Sequence, residues 1–492
     1  MARLNDQRLV TVSIMLATVM QVLDTTIANV ALPHMQGSLS ASTDQITWVL
    51  TSYIVAAAIM TPTVGFMASR LGRRRLFLWS VAGFTVTSGL CGLSASLDQM
   101  VLFRILQGGF GAALVPLSQS VLLDAYPVEK HGQAMAIWGM GVMVGPILGP
   151  TLGGWLTEWY SWRWVFYINL PFGLLAFAGI WLSVSETETR KVRFDIMGFA
   201  YLGLAIGAFQ LMLDRGEQVQ WFESFEIQLE AVLALLGLYL FVVHSLTRKD
   251  PFIDPALFKD RNFVTGLVFI FVVGIILLAT MALLPPFLQQ WKDYPAVTTG
   301  LVLAPRGLGS MFSMMLVGRL MRTRLDPRVL VITGLLFITF SLHEMAGFTL
   351  EVSRNTLIWT GVLQGLGLGL VFVPASALTY ATLNPSLRTE GASLFSLSRN
   401  LGSSVGISIM TAMLSRNLWI NQQQLGEHLQ LAPWLSQGLP MKEMVGSVPA
   451  AVYQTLLSQA AEISYMNDFR LLMWINMAAI PLVFLLRHQR RV

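Results

Sequence analysis

The sequence predicts an all-α protein that crosses a membrane many times, and three observations support this class. Hydrophobic residues make up 54% of the 492 residues and charged residues only 12%, about half of the roughly 25% charged residues in soluble domains. Apolar runs of about 20 residues, each long enough for a helix to cross a bilayer, recur along the chain. The shorter alternating segments that are typical of membrane β-barrels do not occur.

Fourteen apolar runs give the candidate transmembrane helices in chain order. The first run is too long for the core of a signal peptide, so we expect it to be retained. The predicted spans are 10–32, 46–67, 76–93, 100–123, 133–156, 164–183, 196–213, 227–246, 263–288, 300–320, 329–346, 357–378, 391–414 and 471–486.

The basic residues indicate how these spans are oriented. With fourteen spans both termini lie on one side. Of the 32 Lys and Arg residues, about 22 fall in segments on that side, about seven fall on the other, and Arg104, Arg306 and Arg399 lie within spans. The positive-inside rule therefore predicts cytoplasmic termini. The net charge of +5 thus reflects topology, and we expect no nucleic-acid partner.

An internal repeat divides the chain into two halves. The segment FRILQGGFGAALVPLSQSVL begins at Phe103, and TGVLQGLGLGLVFVPASALT begins at Thr360. Both contain LQG, then small residues and a proline. Basic turns after Gly65 and Gly318 repeat at a similar offset. Parallel repeats of this kind are typical of transporters that bind substrate between the halves.

The repeat predicts the domain organisation. It aligns the fourth span with the twelfth, so two six-helix bundles leave the seventh and eighth spans as an insertion. The predicted units are residues 1–186, 187–250 and 251–492, and the last contains a long outer loop at 415–469. That loop is either a flexible connector or a docking surface for a periplasmic partner.

Asp24 is the carboxylate that the sequence places deep inside a span. It lies 14 residues after Val10, about 21 Å along a helix. Charge in hydrocarbon is costly and marks functional sites. Burial favours the protonated carboxyl and a nearby cation favours the ionised one, so Asp24 is a candidate proton carrier. Such a carrier has to reach a water-filled cleft. The alternative is a structural aspartate bonded to neighbouring Thr or Asn side chains.

Arg104 is the predicted counter-charge, because it lies at a similar depth in the fourth span. The position that matches it in the repeat is Gly361, so packing does not require a long side chain there. The alternative is that Arg104 extends to the outer headgroups. Other polar or charged side chains in spans predicted to border a substrate cavity are Gln21, Asn29, Tyr53, Gln107, Gln119, Gln364, Arg399 and Asn400.

Glycine and proline are concentrated in the fifth span. Glycine permits close helix approach and proline removes a backbone donor and bends a helix, which suits a hinge or seal between the halves. The residues concerned are Gly141, Gly145, Pro146, Gly149, Pro150, Gly153 and Gly154.

Several motifs together resemble one family. They are LDTTIANVALP in the first span, WVLTSY from Trp48, GFMASRLGRRR from Gly65, RILQGGFGAA from Arg104, GPILGPTLGG from Gly145, WRWVFYINLPFG from Trp162 and LMLDRGEQVQWF from Leu211. Their order resembles the fourteen-helix drug:proton antiporters of the EmrB/QacA type in the major facilitator superfamily, and among them the EmrB-like inner-membrane exporters.

The resemblance implies a major facilitator fold in which two six-helix bundles rock about a central site. It also implies that Arg104 takes part in proton coupling and that the glycine-rich fifth span is an antiporter motif that limits leak. The cytoplasmic loop motif comprises Gly65, Ser69, Arg70, Gly72, Arg73 and Arg74. Ser69 stands where the superfamily usually has Asp, so we expect the gating contact there to be weaker or built from other residues.

The predicted function is proton-coupled multidrug efflux of hydrophobic or amphipathic compounds across the bacterial inner membrane, and not catalysis. One cysteine, Cys91, six histidines at span ends and the absence of a P-loop predict no metal site, no cofactor and no bound ATP. The EmrB likeness implies a periplasmic adaptor and an outer-membrane channel in a tripartite pump. The alternatives are an exporter of one natural compound, such as a siderophore, lipid or toxin, and a membrane sensor or scaffold that transports nothing.

Overall fold

The computed structural model describes residues 7–189, 193–323, 325–430 and 450–486, and within these ranges the regular structure is helical throughout. The N-terminal part contains α1 (Gln7–Ser38), α2 (Thr43–Ile46), α3 (Trp48–Met60), α4 (Thr63–Leu71), α5 (Arg73–Leu93), α6 (Leu97–Gly111), α7 (Leu114–Ala125), α8 (His131–Trp159), α9 (Trp164–Tyr167) and α10 (Asn169–Ser183).

The remaining chain begins with two helices between the bundles and continues with the C-terminal bundle. The two helices are α11 (Ile196–Arg215) and α12 (Phe225–Thr247). The C-terminal helices are α13 (Ala256–Lys259), α14 (Arg261–Pro286), α15 (Ala296–Leu320), α16 (Pro327–Met345), α17 (Arg354–Ala381), α18 (Arg388–Gln430) and α19 (Ala450–Ala479).

The described residues contain twelve helices that are long and apolar enough to cross a membrane, or thirteen when α3 and α4, bent by 59° at a short break, are taken as one broken span. The all-α polytopic prediction is therefore confirmed. The predicted thirteenth span, 391–414, lies within α18, which is not apolar enough to be counted among these helices. The count of fourteen stays a prediction.

The predicted long loop at 415–469 is mostly helical, which corrects the sequence interpretation. Helix α18 has 43 residues and is about 65 Å long, longer than the roughly 30 Å hydrocarbon core. Beyond the predicted span it packs against α19, where Asn421 Nδ2 lies 2.9 Å from Ser464 Oγ and Asn417 Nδ2 lies 3.3 Å from Asp468 Oδ1. Residues 431–449 lie outside the described residues.

The helices pack as two bundles that meet along α8 and α15. In the N-terminal bundle α1 packs against α8 and α10, and in the C-terminal bundle α14 packs against α17 and α18. Helix α11 packs against both α3 and α12, whereas α12 buries only a small share of its surface. We call the end of the molecule that carries the α4–α5 turn and the start of α18 the basic face, and it is predicted to be cytoplasmic.

Glycines of α8 explain why α1 and α8 lie so close. A Cβ atom at Gly145 would lie 2.6 Å from Val22 Cγ1, and one at Gly149 would lie 2.2 Å from Thr26 Oγ1. The Thr26 hydroxyl donates a hydrogen bond of 3.0 Å to the Gly145 carbonyl. These contacts position α1, which carries Asp24, and α8 remains one helix through Pro146 and Pro150.

Candidate functional site

The candidate site is a buried polar network centred on Asp24, whose side chain is fully inaccessible. Arg104 Nη1 donates to Asp24 Oδ2 at 2.8 Å. Gln107 Nε2 and Asn169 Nδ2 donate to Asp24 Oδ1 at 3.0 and 2.7 Å. The two sequence-predicted charges are therefore paired, and two amides complete the donors around the carboxylate.

Arg104 is held by groups from several helices. Its Nε donates to the Val49 carbonyl at 2.9 Å, and its Nη1 also donates to Gln107 Oε1 at 2.8 Å. Its guanidinium carbon lies 4.2 Å from the centre of the Tyr53 ring. Because the Arg104 side chain is only 1% exposed, the structure places it inward, and the alternative of extension to headgroups does not describe this conformation.

Asn169 is the residue of the network that the sequence reasoning missed. It is the first residue of α10 and lies in the motif WRWVFYINLPFG, which was used only to identify the resemblance. Its Nδ2 also donates to Ser88 Oγ at 2.9 Å, and Ser88 donates to the Phe166 carbonyl. The available signal was a single amide in an otherwise apolar stretch, since buried polar groups need partners.

The other predicted cavity residues fall into four groups. Gln21 donates to the Tyr53 hydroxyl at 3.1 Å and so borders the Asp24 network. Gln119 accepts from the Tyr380 hydroxyl at 3.1 Å, which joins the two bundles. Gln364, Arg399 and Asn400 lie in the C-terminal bundle, and Asn400 is exposed there. Asn29 is exposed in the last third of α1.

Charged residues form a second cluster at the basic face. The Asp124 carboxylate pairs with Arg73 of the loop motif and with Arg388 at the start of α18, the latter at 2.8 Å. Ser69 donates to the Gly65 carbonyl within its own helix. The Asp124–Arg388 pair therefore bridges the bundles without Ser69, and a weaker or rebuilt gating contact stays a prediction.

The remaining loop-motif residues define the shape of this turn. Gly72 ends α4 with a φ of +86°, a conformation that suits glycine. Arg74 Nη2 donates to the Trp181 carbonyl at 2.6 Å and its guanidinium lies over the Trp181 ring, whereas Arg70 is exposed. A Cβ atom at Gly65 would lie 2.7 Å from Glu390 Cβ, so α4 and α18 are in close contact.

No cluster of metal-ligating side chains is present among the described residues. The single cysteine, Cys91, is buried and donates to Gln107 Oε1 at 3.5 Å, at the edge of the Asp24 network. The arrangement can thus hold or release a proton at one carboxylate on α1 whose hydrogen-bond donors come from α6 and α10.

Comparison with known proteins gives consistent results. The profile of the Major Facilitator Superfamily matches residues 14–407. The chain is 39% identical to the fatty acid resistance protein FarB of Neisseria gonorrhoeae, over 85% of this chain and 83% of that protein. It is 38% identical to the multidrug export protein EmrB of Escherichia coli (strain K12), over 86% of this chain and 82% of that protein.

Solved structures show the same fold. The proton:xylose symporter XylE superposes with a TM-score of 0.62 at 13% identity, over 96% of both chains. A bacterial homolog of the human lysosomal transporter Spinster superposes with a TM-score of 0.57 at 18% identity, over 99% of both chains.

Proposed function

Because the chain belongs to the Major Facilitator Superfamily, we propose that it is a proton-coupled efflux transporter for hydrophobic or amphipathic compounds and not an enzyme. The observation that carries the proposal is the Asp24–Arg104 pair, fully buried and joined to Gln107 and Asn169. The likeness to EmrB, a multidrug export protein, supports export as the direction of transport.

The coupling follows from competition for the Asp24 carboxylate. In this conformation Asp24 is occluded, with Arg104 and two amides as its donors. A proton that binds Asp24 neutralises it and removes the attraction to Arg104, which favours a state in which the network opens. A ligand shifts two states only by its difference in affinity for them, so substrate and proton act in opposite directions.

Proton exchange requires a second conformation in which Asp24 is reachable from water. The two bundles are joined at the basic face by Ser120 with Thr389 and by Asp124 with Arg388. Rocking of the bundles about α8 and α15 would separate these contacts, which fits the alternating access of transporters with repeated halves.

The proposed location is the bacterial inner membrane, with both termini and the basic face in the cytoplasm. The energy source is the proton gradient, with no bound cofactor, and membrane lipids surround the chain. We also propose a periplasmic adaptor and an outer-membrane channel as partners. The helical extension formed by residues 415–430 and 450–470 lies on the predicted outer side and is the candidate contact with the adaptor.

A narrower function is a second candidate, because the chain is as similar to FarB, a fatty acid resistance protein, as to EmrB. In that case the chain exports one class of natural amphipathic compound. A sensor or scaffold that transports nothing is the alternative from another class.

Proton release on substrate binding tests the proposal. Adding ethidium to purified protein in weakly buffered detergent solution is expected to acidify the solution, and Asp24→Asn is expected to abolish the release. Wild-type protein in proteoliposomes is expected to move ethidium under a pH gradient. Full proton-driven transport by Asp24→Asn would remove Asp24 from the coupling, and no transport by the wild type with any compound of a broad panel would favour the sensor.

A further inference from the structure

The internal repeat has a structural counterpart in the C-terminal bundle. Gln107 and Gln364 occupy the same position of the LQG motif and both are fully buried. Gln107 Nε2 donates to Asp24 of α1 at 3.0 Å, and Gln364 Nε2 donates to the Thr280 hydroxyl of α14 at 3.3 Å. Since α1 and α14 are the first long helices of their bundles, Thr280 stands where the other bundle has its carboxylate.

A cation nevertheless remains in the C-terminal copy. The position equivalent to Arg104 is Gly361, and a Cβ atom placed there would lie 3.6 Å from Arg306 Cβ. Arg306 therefore reaches this region from α15. It is only 7% exposed, and its Nη2 donates to the Leu277 carbonyl at 3.2 Å, about one turn of α14 before Thr280.

Arg306 differs from Arg104 because it has no acidic partner among the described residues. Among the described residues no carboxylate lies within ion-pair distance of Arg306, whereas Arg104 has Asp24. Gln364 Oε1 beside it is also buried without a hydrogen-bond partner. A buried charge is stable only when it is paired and hydrogen-bonded, so among the described residues Arg306 lacks the kind of anionic partner that Arg104 has in Asp24.

We propose that the missing group is supplied by the substrate, and that Arg306, Gln364 and Thr280 form a binding site for the headgroup of an organic anion. This inference rests on the proposed function and specifies its substrate class as amphipathic carboxylates. A carboxylate fits the guanidinium because it accepts two parallel hydrogen bonds.

A second cation of the C-terminal bundle favours the same charge. Arg399 of α18 has no ion-pair partner among the described side chains, and its guanidinium carbon lies 5.9 Å from the centre of the Trp138 ring in the N-terminal bundle. Two arginines without acids among the described residues give this part of the C-terminal bundle a positive potential, which attracts an anionic headgroup.

The test compares two amphiphiles that share an alkyl chain and differ in headgroup charge, laurate and dodecyltrimethylammonium, in proteoliposomes under a pH gradient. Arg306→Gln removes the positive charge and keeps an amide. Laurate transport is expected to fall about tenfold or more, because a hydrogen-bonded charge contributes about 1.5–3 kcal/mol. Transport of dodecyltrimethylammonium is expected to change by less than about twofold, which also shows that the variant is folded.

A second variant places a carboxylate of the protein itself in the proposed anion site. Thr280→Asp places a carboxylate beside Arg306, as Asp24 lies beside Arg104, and is expected to abolish laurate transport by competing for the guanidinium. Thr280→Asn has nearly the same shape without the charge and is expected to retain laurate transport.

The outcomes separate this inference from the proposed function. Equal loss of both compounds in Arg306→Gln, or normal laurate transport in Thr280→Asp, would overturn the anion site. Wild-type protein that moves dodecyltrimethylammonium but not laurate would also overturn it and leave the efflux proposal intact. Wild-type protein that moves neither compound would count against both.

Discussion

At the scale of single residues, the Asp24 network balances charge against burial. Separating one partner of a buried ion pair from the other costs about 3–5 kcal/mol, because it leaves an uncompensated charge. The amides of Gln107 and Asn169 add neutral donors that favour the ionised carboxylate. The network thus influences how readily Asp24 accepts a proton, and each donor can be removed separately by mutation.

Asn169→Ala is expected to lower the proton release that a drug induces at a fixed pH. The variant removes a donor that holds the Asp24 carboxylate, and a hydrogen bond to a charged group contributes about 1.5–3 kcal/mol. The measurement is proton release by purified protein on addition of ethidium. Ser88→Ala is the control, because Ser88 contacts Asn169 but has no hydrogen bond to Asp24. Proton release by Asn169→Ala equal to that of the wild type would contradict this role.

The sequence predicted the Asp24–Arg104 pair because a charge inside an apolar span needs an opposite charge at similar depth. It did not predict Asn169, since an amide carries no charge that demands a partner. The repeat identified Gln107 and Gln364, but it could not show that Arg306 occupies the space beside Gly361. That contact depends on how α15 is rotated against α17, which the sequence pattern does not specify.

At the scale of elements, the contact between α1 and α8 requires glycine only on the face of α8 that packs against α1. Gly149→Ala is expected to lower the free energy of unfolding by about 1–3 kcal/mol, because its Cβ would lie 2.2 Å from Thr26 Oγ1. Gly154→Ala on the same helix is the matched control, since a Cβ there meets nothing within 4 Å, and it is expected to be neutral or slightly stabilising. Thermal unfolding in detergent measures the difference, and equal effects of the two variants would refute the packing argument.

Helix α18 shows why an element can be predicted with the wrong length. Its sequence is too polar to mark the whole helix as a membrane span, so the apolar pattern covers only part of it. Beyond residue 414 the helix is stabilised by pairing with α19 through Asn417 and Asn421. Such a tertiary contact leaves no apolar run in the sequence.

The start of α18 contains a carboxyl that is expected to respond to pH. Burial raises the pKa of Glu390 to about 7, and the charge of Asp254 acts in the same direction, against the hydrogen bond from the Asp254 backbone. Because its pKa is raised, Glu390 stabilises the folded state at pH values below the ordinary pKa of Glu. This stabilisation is lost as the pH rises through about 7. The melting temperature is therefore expected to fall between pH 5 and 8.

Glu390→Gln is expected to flatten this pH dependence, because the amide does not ionise. Glu129→Gln, which changes an exposed carboxyl at the same face, is the control and is expected to leave the slope unchanged. Melting temperatures measured across the pH range decide between these results, and an unchanged slope in Glu390→Gln would show that the close approach of α4 and α18 tolerates the charge.

At the scale of the whole molecule, the contacts at the basic face hold the two bundles together. They are ordered from the interior outward as Gln119 with Tyr380, Ser120 with Thr389, and Asp124 with Arg388. The first two are buried and the third is partly exposed. Because exposed ion pairs contribute little, the buried pairs are expected to contribute more to keeping this face closed.

A disulfide across this contact is expected to stop transport. The Ser120 and Thr389 hydroxyls lie 2.9 Å apart, so the Cβ atoms of cysteines at both positions are near the separation that a disulfide requires. Cys91→Ser removes the single native cysteine and retains a donor toward Gln107. In this background the oxidised Ser120→Cys/Thr389→Cys protein is expected to bind substrate without moving it in proteoliposomes, and reduction is expected to restore transport.

Each single-cysteine variant treated with the same oxidant controls for damage to the protein and is expected to transport normally. The prediction depends on the motion of the whole molecule, because the crosslink replaces two residues outside the four-residue network of Asp24. The network itself stays unchanged. If the oxidised protein still exchanged substrate for protons, the basic face would not need to open during the cycle. Rocking of the bundles about α8 and α15 would then have to be replaced by a local movement of α1 that exposes Asp24 from the opposite side.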